Sequence, residues 1–118
     1  MDVAQTTLHG IPLLTLAGEI GHEHSPRLRR ALEAAVEQGA GRLLLDLSAV
    51  PYIDSGSLGL IWVIVESLDT PGWLGVIGAN EHIRRLFQAV GFEDSVTFRL
   101  FATLQEAERA LTYLESAA

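Results

Sequence analysis

Residues 42–68 read RLLLDLSAVPYIDSGSLGLIWVIVESL, and the change of hydrophobic period inside this stretch decides the fold. Arg42–Asp46, carried on by Leu47, is a brief and nearly unbroken apolar run, the pattern of a strand buried on both faces. From Leu58 the period changes. Leu58, Ile61, Trp62, Val65 and Leu68 stand at i, i+3, i+4, i+7 and i+10, a helical stripe, and Leu60, Val63 and Ile64 widen it. The widened stripe predicts a helix packed on more than one side. Between strand and helix, Ser48–Ser57 is rich in turn residues.

Outward from this unit the alternation continues. Upstream, Val3–Leu8 and Ile11–Ala17 flank His9-Gly10 and predict a hairpin. Pro12 belongs at the start or a free side of its second strand, since it has no N–H to donate. Gly18–His24 is a polar loop, and Ser25-Pro26 predicts an N-cap and first helical residue. Leu28, Ala31, Leu32, Ala35 and Val36 then recur at helical spacing until Gly39 and Gly41. Downstream, Asp69–Gly72 is a turn and Trp73–Ile77 a strand. Asn80 is a candidate N-cap for Ile83–Val90, which Gly91 ends. Val96–Leu100 predicts a last strand, and Thr103-Leu104-Gln105-Glu106 is a capping box opening a helix through Leu114. The order β-β-α-β-α-β-α-β-α predicts one α/β domain over residues 1–115, with 116–118 as a short tail. Its sheet is mostly parallel, with an N-terminal antiparallel edge strand and four helices.

Composition excludes several functions. At 118 residues and 48% hydrophobic, the chain can bury a core without disulfide or metal. It has no cysteine, which removes disulfide scaffolds, thiolate metal sites and cysteine nucleophiles. All eight cations are arginine, which removes the P-loop lysine and Schiff-base chemistry and argues against a phospho-aspartate receiver domain. A formal net charge of −7 repels phosphate backbones, so nucleic-acid binding is not expected. The longest apolar run, Leu58–Val65, is far short of a membrane span, and the N-terminus lacks a basic or hydrophobic signal segment. A soluble cytoplasmic protein is expected.

In such a sheet, functional groups gather beyond the carboxyl ends of the parallel strands, here Glu19–Ser25, Leu47–Ser57, Gly78–Glu81 and Phe101–Thr103. Asp54-Ser55-Gly56-Ser57 stands directly before an apolar helix, where free N–H groups attract an anion or a capping oxygen. Asp54 or Ser55 can equally be a plain N-cap. His22-Glu23-His24, with Glu19 near, offers ligand types for a metal but no third ligand fixed by spacing. His9 and His82 read as solvated, and no spacing places a serine-hydrolase elbow or a dinucleotide fingerprint.

Leu45-Asp46-Leu47-Ser48-Ala49-Val50-Pro51-Tyr52-Ile53-Asp54-Ser55-Gly56-Ser57-Leu58 resembles the L-D-L-S-x-V-x-[FY]-I-D-S-[ST]-G-L signature of STAS domains, the sulphate-transporter and anti-sigma-factor-antagonist modules. Gly18-Glu19-Ile20, Ser25-Pro26-Arg27-Leu28, Gly78–Phe87 and Val90-Gly91-Phe92 extend the likeness along the chain. The resemblance implies a stand-alone anti-sigma factor antagonist that is not an enzyme and carries no cofactor. Its implied partner is an anti-sigma factor with a histidine-kinase-like ATPase fold, which phosphorylates a serine of the loop, and a PP2C-type phosphatase resets the switch. The implied contact is Asp54, Ser55, Gly56 and Ser57, with Glu19 at its edge. Without a gap, Gly56 stands where the family carries its phosphoacceptor and Ser57 where it carries glycine. The acceptor is then Ser57, favoured for its place before Leu58, or Ser55, expected to be occupied as a cap. A phosphate on either is expected to act at the interface while leaving the fold stable. A constitutive STAS adaptor, as in a stressosome-like or lipid-transport complex, is the alternative, followed by a small-ligand-binding α/β module. Oligomeric state is not legible.

Overall fold

The computed structural model describes residues 1–117. Its strands are β1 (Asp2–Leu8), β2 (Ile11–Ala17), β3 (Arg42–Ala49), β4 (Trp73–Ile77) and β5 (Phe98–Phe101). The α-helices are α1 (Ser25–Gln38), α2 (Ser55–Ser67), α3 (Glu81–Val90) and α4 (Leu104–Ala117), with 3-10 turns at His22–His24 and Phe92–Asp94. The five strands lie in sequence order. The β1–β2 pair is antiparallel and the other three pairs are parallel. Pro12 lies opposite Thr7, one residue before the β2–β3 pairing begins at Leu13, so its missing N–H costs the parallel ladder nothing.

Successive right-handed crossovers between neighbouring strands place their helices on the same side of the sheet. The side chains follow that rule. Leu14, Leu16, Leu43, Leu45, Leu47, Leu74 and Val76 face a core completed by α1, α2 and α3. The alternate residues Ile11, Leu13, Leu44, Trp73, Ile77 and Phe101 face a smaller core closed by Ala107 and Leu111 of α4. Leu43, Leu44, Leu45 and Leu47 are all fully enclosed, as a central strand requires. Around Phe92 the rings of Trp62, Phe87 and Phe98 meet at centroid distances of 4.9, 4.7 and 5.1 Å, mostly edge to face. These contacts fix the outer rim of α2 and α3 on the sheet.

The structure shifts several expected boundaries. The first α2 turn is Ser55-Gly56-Ser57 rather than loop, because Asp54 caps it and lets residues of loop-like composition turn helically. Val63 of the widened stripe is 56% exposed, so α2 packs through Leu58, Leu60, Ile61, Ile64 and Val65. α1 begins one residue earlier than expected: the 3-10 turn runs straight into it, His24 occupies the cap without a side-chain cap bond, and Ser25 is already helical. The last strand starts at Phe98 rather than Val96. Residues 95–98 close a turn, the Phe98 N–H donating to the Ser95 carbonyl at 3.3 Å, and the Thr97 hydroxyl donates to the Val65 carbonyl at 2.7 Å, an oxygen at the end of α2 that also accepts the Leu68 N–H. Asn80 caps α3 and Gly91 ends it in a left-handed conformation, both as expected. α4 runs beyond Leu114 to Ala117, taking in Ser116 and Ala117 of the expected tail, while Ala118 lies outside the described residues.

Candidate functional site

Beyond the bulge between Thr15 and Ala17, the parallel pairing of β2 and β3 resumes through the loops that leave them. Gly18 N–H donates to Ala49, Ile20 N–H to Tyr52 and Asp54 N–H to Ile20, each at 3.0 Å, so Ile20 and Ile53 form a bridge. Both isoleucines are buried. In an extended pairing, alternate residues point away from the core, and here Glu19 and Tyr52 are exposed and Asp54 is half-buried. The apolar pattern thus presents an acid, an aromatic ring 47% exposed and the α2 cap on one small surface.

Asp54 accepts the Ser57 main-chain N–H at 2.8 Å, satisfying one free donor of the α2 N-terminus. This bond is the main cause holding its carboxyl below the usual carboxylate range. The Ser57 hydroxyl adds to the effect from nearby without reaching hydrogen-bond geometry. Burial opposes the shift, and the neighbouring main-chain N–H and imidazole of His22 reinforce it.

The two serines differ sharply in environment. Ser55, at the first helical position, is exposed, and so is Gly56. Ser57 is 0% exposed and its hydroxyl has no hydrogen-bond partner. The residues four and seven positions on, Ile61 and Ile64, are buried too, so Ser57 belongs to the inward stripe. The preference for Ser57 as acceptor therefore conflicts with its burial, and the expectation that Ser55 serves as the cap is corrected, because Asp54 holds that place. The sequence only hints at this: the spacing of Asp54 and Ser57 is that of an N-cap and its N3 partner, and Ser57 extends the stripe of Ile61 and Ile64 by one turn.

A Cβ built on Gly56 meets nothing closer than the Asp54 Oδ1 at 3.8 Å. No internal packing demands glycine there. Asn80 is the residue whose role sequence reasoning half missed. Besides capping α3 it donates to the carbonyls of Val50 and Pro51, at 3.4 and 3.2 Å, and so ties α3 to the loop before α2.

Among the other candidates, His22 neighbours Asp54. Glu23 lies between His22 and His24, at 3.6 and 3.7 Å, and the His24 Nδ1 accepts the Gly21 N–H at 3.0 Å. Among the described residues no three histidines and carboxylates are arranged to hold a metal. His9 stands 3.8 Å from Glu108 of α4, and His82 is exposed on α3. An open depression of about 630 Å³ is lined by Gln105, Glu108, Arg109, Thr112 and Tyr113 of α4, the helix on the other face of the sheet. Among the described residues no helix is long and apolar enough to cross a membrane.

Comparison with known proteins agrees with this fold. The STAS domain profile matches residues 2–107. The chain is 30% identical over 99 residues to the anti-sigma-F factor antagonist RsfB of Mycobacterium tuberculosis, covering 84% of this chain and 80% of that one. It is 31% identical over 85 residues to an anti-sigma-B factor antagonist of Listeria monocytogenes, covering 71% and 75%. The crystal structure of an anti-sigma factor antagonist from Mycobacterium paratuberculosis superposes with a TM-score of 0.80 at 28% identity, over 92% of both chains. With its five-stranded mixed sheet, its Asp54-capped α2 and relatives of this kind over most of its length, the chain belongs to the STAS domain family, among the anti-sigma factor antagonists.

Proposed function

We propose that this protein is a cytoplasmic binding switch, with no catalysis of its own, whose α2 N-terminal turn docks on an anti-sigma factor of histidine-kinase-like ATPase fold and thereby releases a sigma factor. The observation that carries the reading is the outward presentation of Asp54, Ser55 and Gly56 on a rigid, capped helix start, with Glu19 and Tyr52 beside them. An exposed aromatic amid acidic groups suits a partner surface with an apolar pocket and a basic rim. ATP is the partner's ligand in this scheme, and a PP2C-type phosphatase removes any phosphate the partner adds.

Between the two serines, exposure supports Ser55 as the phosphoacceptor. Its hydroxyl is reachable, whereas Ser57 must leave the core first. A phosphate on Ser55 adds roughly −1.5 to −2 charges beside Asp54, and that charge has to be desolvated in any complex. Gly56 supports a second reading, a constitutive STAS adaptor, because the position where the family carries its acceptor has no hydroxyl.

The test mixes the chain with kinase-type anti-sigma factors of the same genome, with and without ATP, followed by gel filtration and mass spectrometry. A complex without ATP that dissociates with phosphate on Ser55 is the expected result. A complex that persists unphosphorylated in ATP supports the adaptor, and no complex with any of them overturns the proposal.

A further inference from the structure

The loop from β3 to α2 has its carbonyl groups secured from two sides. The Ala49 and Tyr52 carbonyls accept the N–H groups of Gly18 and Ile20, and the Asp54 carbonyl accepts that of Leu58 inside α2. The Val50 and Pro51 carbonyls are taken by the amide of Asn80, 30 and 29 residues further along the chain. The Asn80 Oδ1 meanwhile accepts the Ile83 N–H at 2.8 Å, capping α3.

The three contacts define the amide's orientation. Turned over, it would set its NH2 against the Ile83 N–H and its oxygen against two carbonyls, losing every bond. They also define the residue type. Aspartate and serine cap helices as well as asparagine does, and threonine somewhat less well, but a carboxylate donates nothing and a single hydroxyl cannot accept from Ile83 while donating to both carbonyls. Glutamine carries the same amide one methylene too far from the main chain for an N-cap.

We infer that Asn80 is a positioning residue for the partner-docking turn: its cap function anchors it in α3, and its NH2 group holds the Val50-Pro51 segment so that Tyr52, Asp54 and Ser55 face outward together. The inference rests on the docking surface proposed above, and it assigns that surface a determinant on a different helix. Val50 and Ile53 are buried and pin the loop by their side chains. Asn80 restrains the main chain between them, the part that sets where Tyr52 points. An N-cap alone would leave the Val50 and Pro51 carbonyls unheld and the main chain of the loop tied across the sheet from the Gly18–Ile20 side alone.

Asn80→Asp separates the two roles, because it retains an acceptor for the Ile83 N–H and removes both donors. Native-state hydrogen exchange on the full chain reads the outcome at individual amides. The expected result is unchanged protection of Ile83 and an unchanged Tm, with exchange of the Ile20 and Asp54 amides, which bond across the loop junction, accelerated at least fivefold. Asn80→Ala removes the cap as well and is expected to lower Ile83 protection and Tm. Unchanged Ile20 and Asp54 exchange in Asn80→Asp overturns the inference. Affinity for an anti-sigma factor that the wild-type chain binds is expected to fall at least fivefold in Asn80→Asp. Accelerated exchange with undiminished affinity upholds the restraint by Asn80 and contradicts the docking surface instead.

Discussion

The Asp54 carboxylate accepts the Ser57 main-chain N–H at 2.8 Å, while the Ser57 hydroxyl beside it is fully enclosed and bonded to nothing. Leaving a buried hydroxyl unsatisfied costs about 1–3 kcal/mol, and an apolar group of similar size avoids that cost. Ser57→Ala is therefore expected to raise stability by about 1 kcal/mol, seen as a higher urea midpoint with unchanged slope. Ser57→Asp buries a second carboxylate next to Asp54 and is expected to destabilise by about 3 kcal/mol or more. Unlike a phosphate on the exposed Ser55, a charge at Ser57 acts on the fold before it reaches any interface. Asp54 itself gives a pH signature. Its folded pKa lies below the unfolded value, chiefly through the Ser57 N–H. Its contribution is thus complete above the unfolded pKa of about 3.9 and lost as pH falls through the lower folded value. Thermal melts of wild type and Asp54→Asn should differ above about pH 5 and converge in more acid solution.

At the scale of elements, α2 carries the burial that aims its own N-terminal turn. Ile61 is 0% exposed on the face that meets the sheet, and Ile61→Ala is expected to cost about 2–5 kcal/mol by leaving a cavity. An unchanged urea midpoint would contradict its place in the core. The hairpin, β4, the α3 cap and the inward stripe of α2 were legible because side-chain period and capping residues act locally. The start of α2 was not. Ser55-Gly56-Ser57 has the composition of a loop, and its helical state depends on a bond from Asp54 that only the spacing of the two residues hints at. The start of β5 was missed because residues 95–98 close a turn before it, one whose Thr97 hydroxyl bonds to the far end of α2, 32 residues away. The second role of Asn80 was hidden for the same reason: its partners are distant in sequence. For β5 and Asn80, legibility fell with the sequence separation of the deciding contact. The candidate site was found by position and motif, while which of its hydroxyls faces solvent required the packed helix.

Over the whole molecule, a formal charge of −7 with no lysine sets the terms of encounter. A partner with a basic rim is drawn in by the acidic surface, so association with an anti-sigma factor is expected to slow as salt rises while dissociation changes little. Stopped-flow rates at about 50 and 300 mM salt check this, the Debye length falling well below 10 Å over that range. The central claim is that the α2 turn docks on the anti-sigma factor and α4 does not. Gly56 has open space around its Cβ position, and Tyr113 of α4 is 74% exposed, so an arginine fits at either site without disturbing the core. Calorimetric titration of the wild-type chain, Gly56→Arg and Tyr113→Arg against a kinase-type anti-sigma factor of the same genome tests the claim most directly. The account predicts at least a tenfold loss of affinity for Gly56→Arg, wild-type affinity for Tyr113→Arg and little change in Tm for either. Wild-type affinity for Gly56→Arg with a loss for Tyr113→Arg would contradict it.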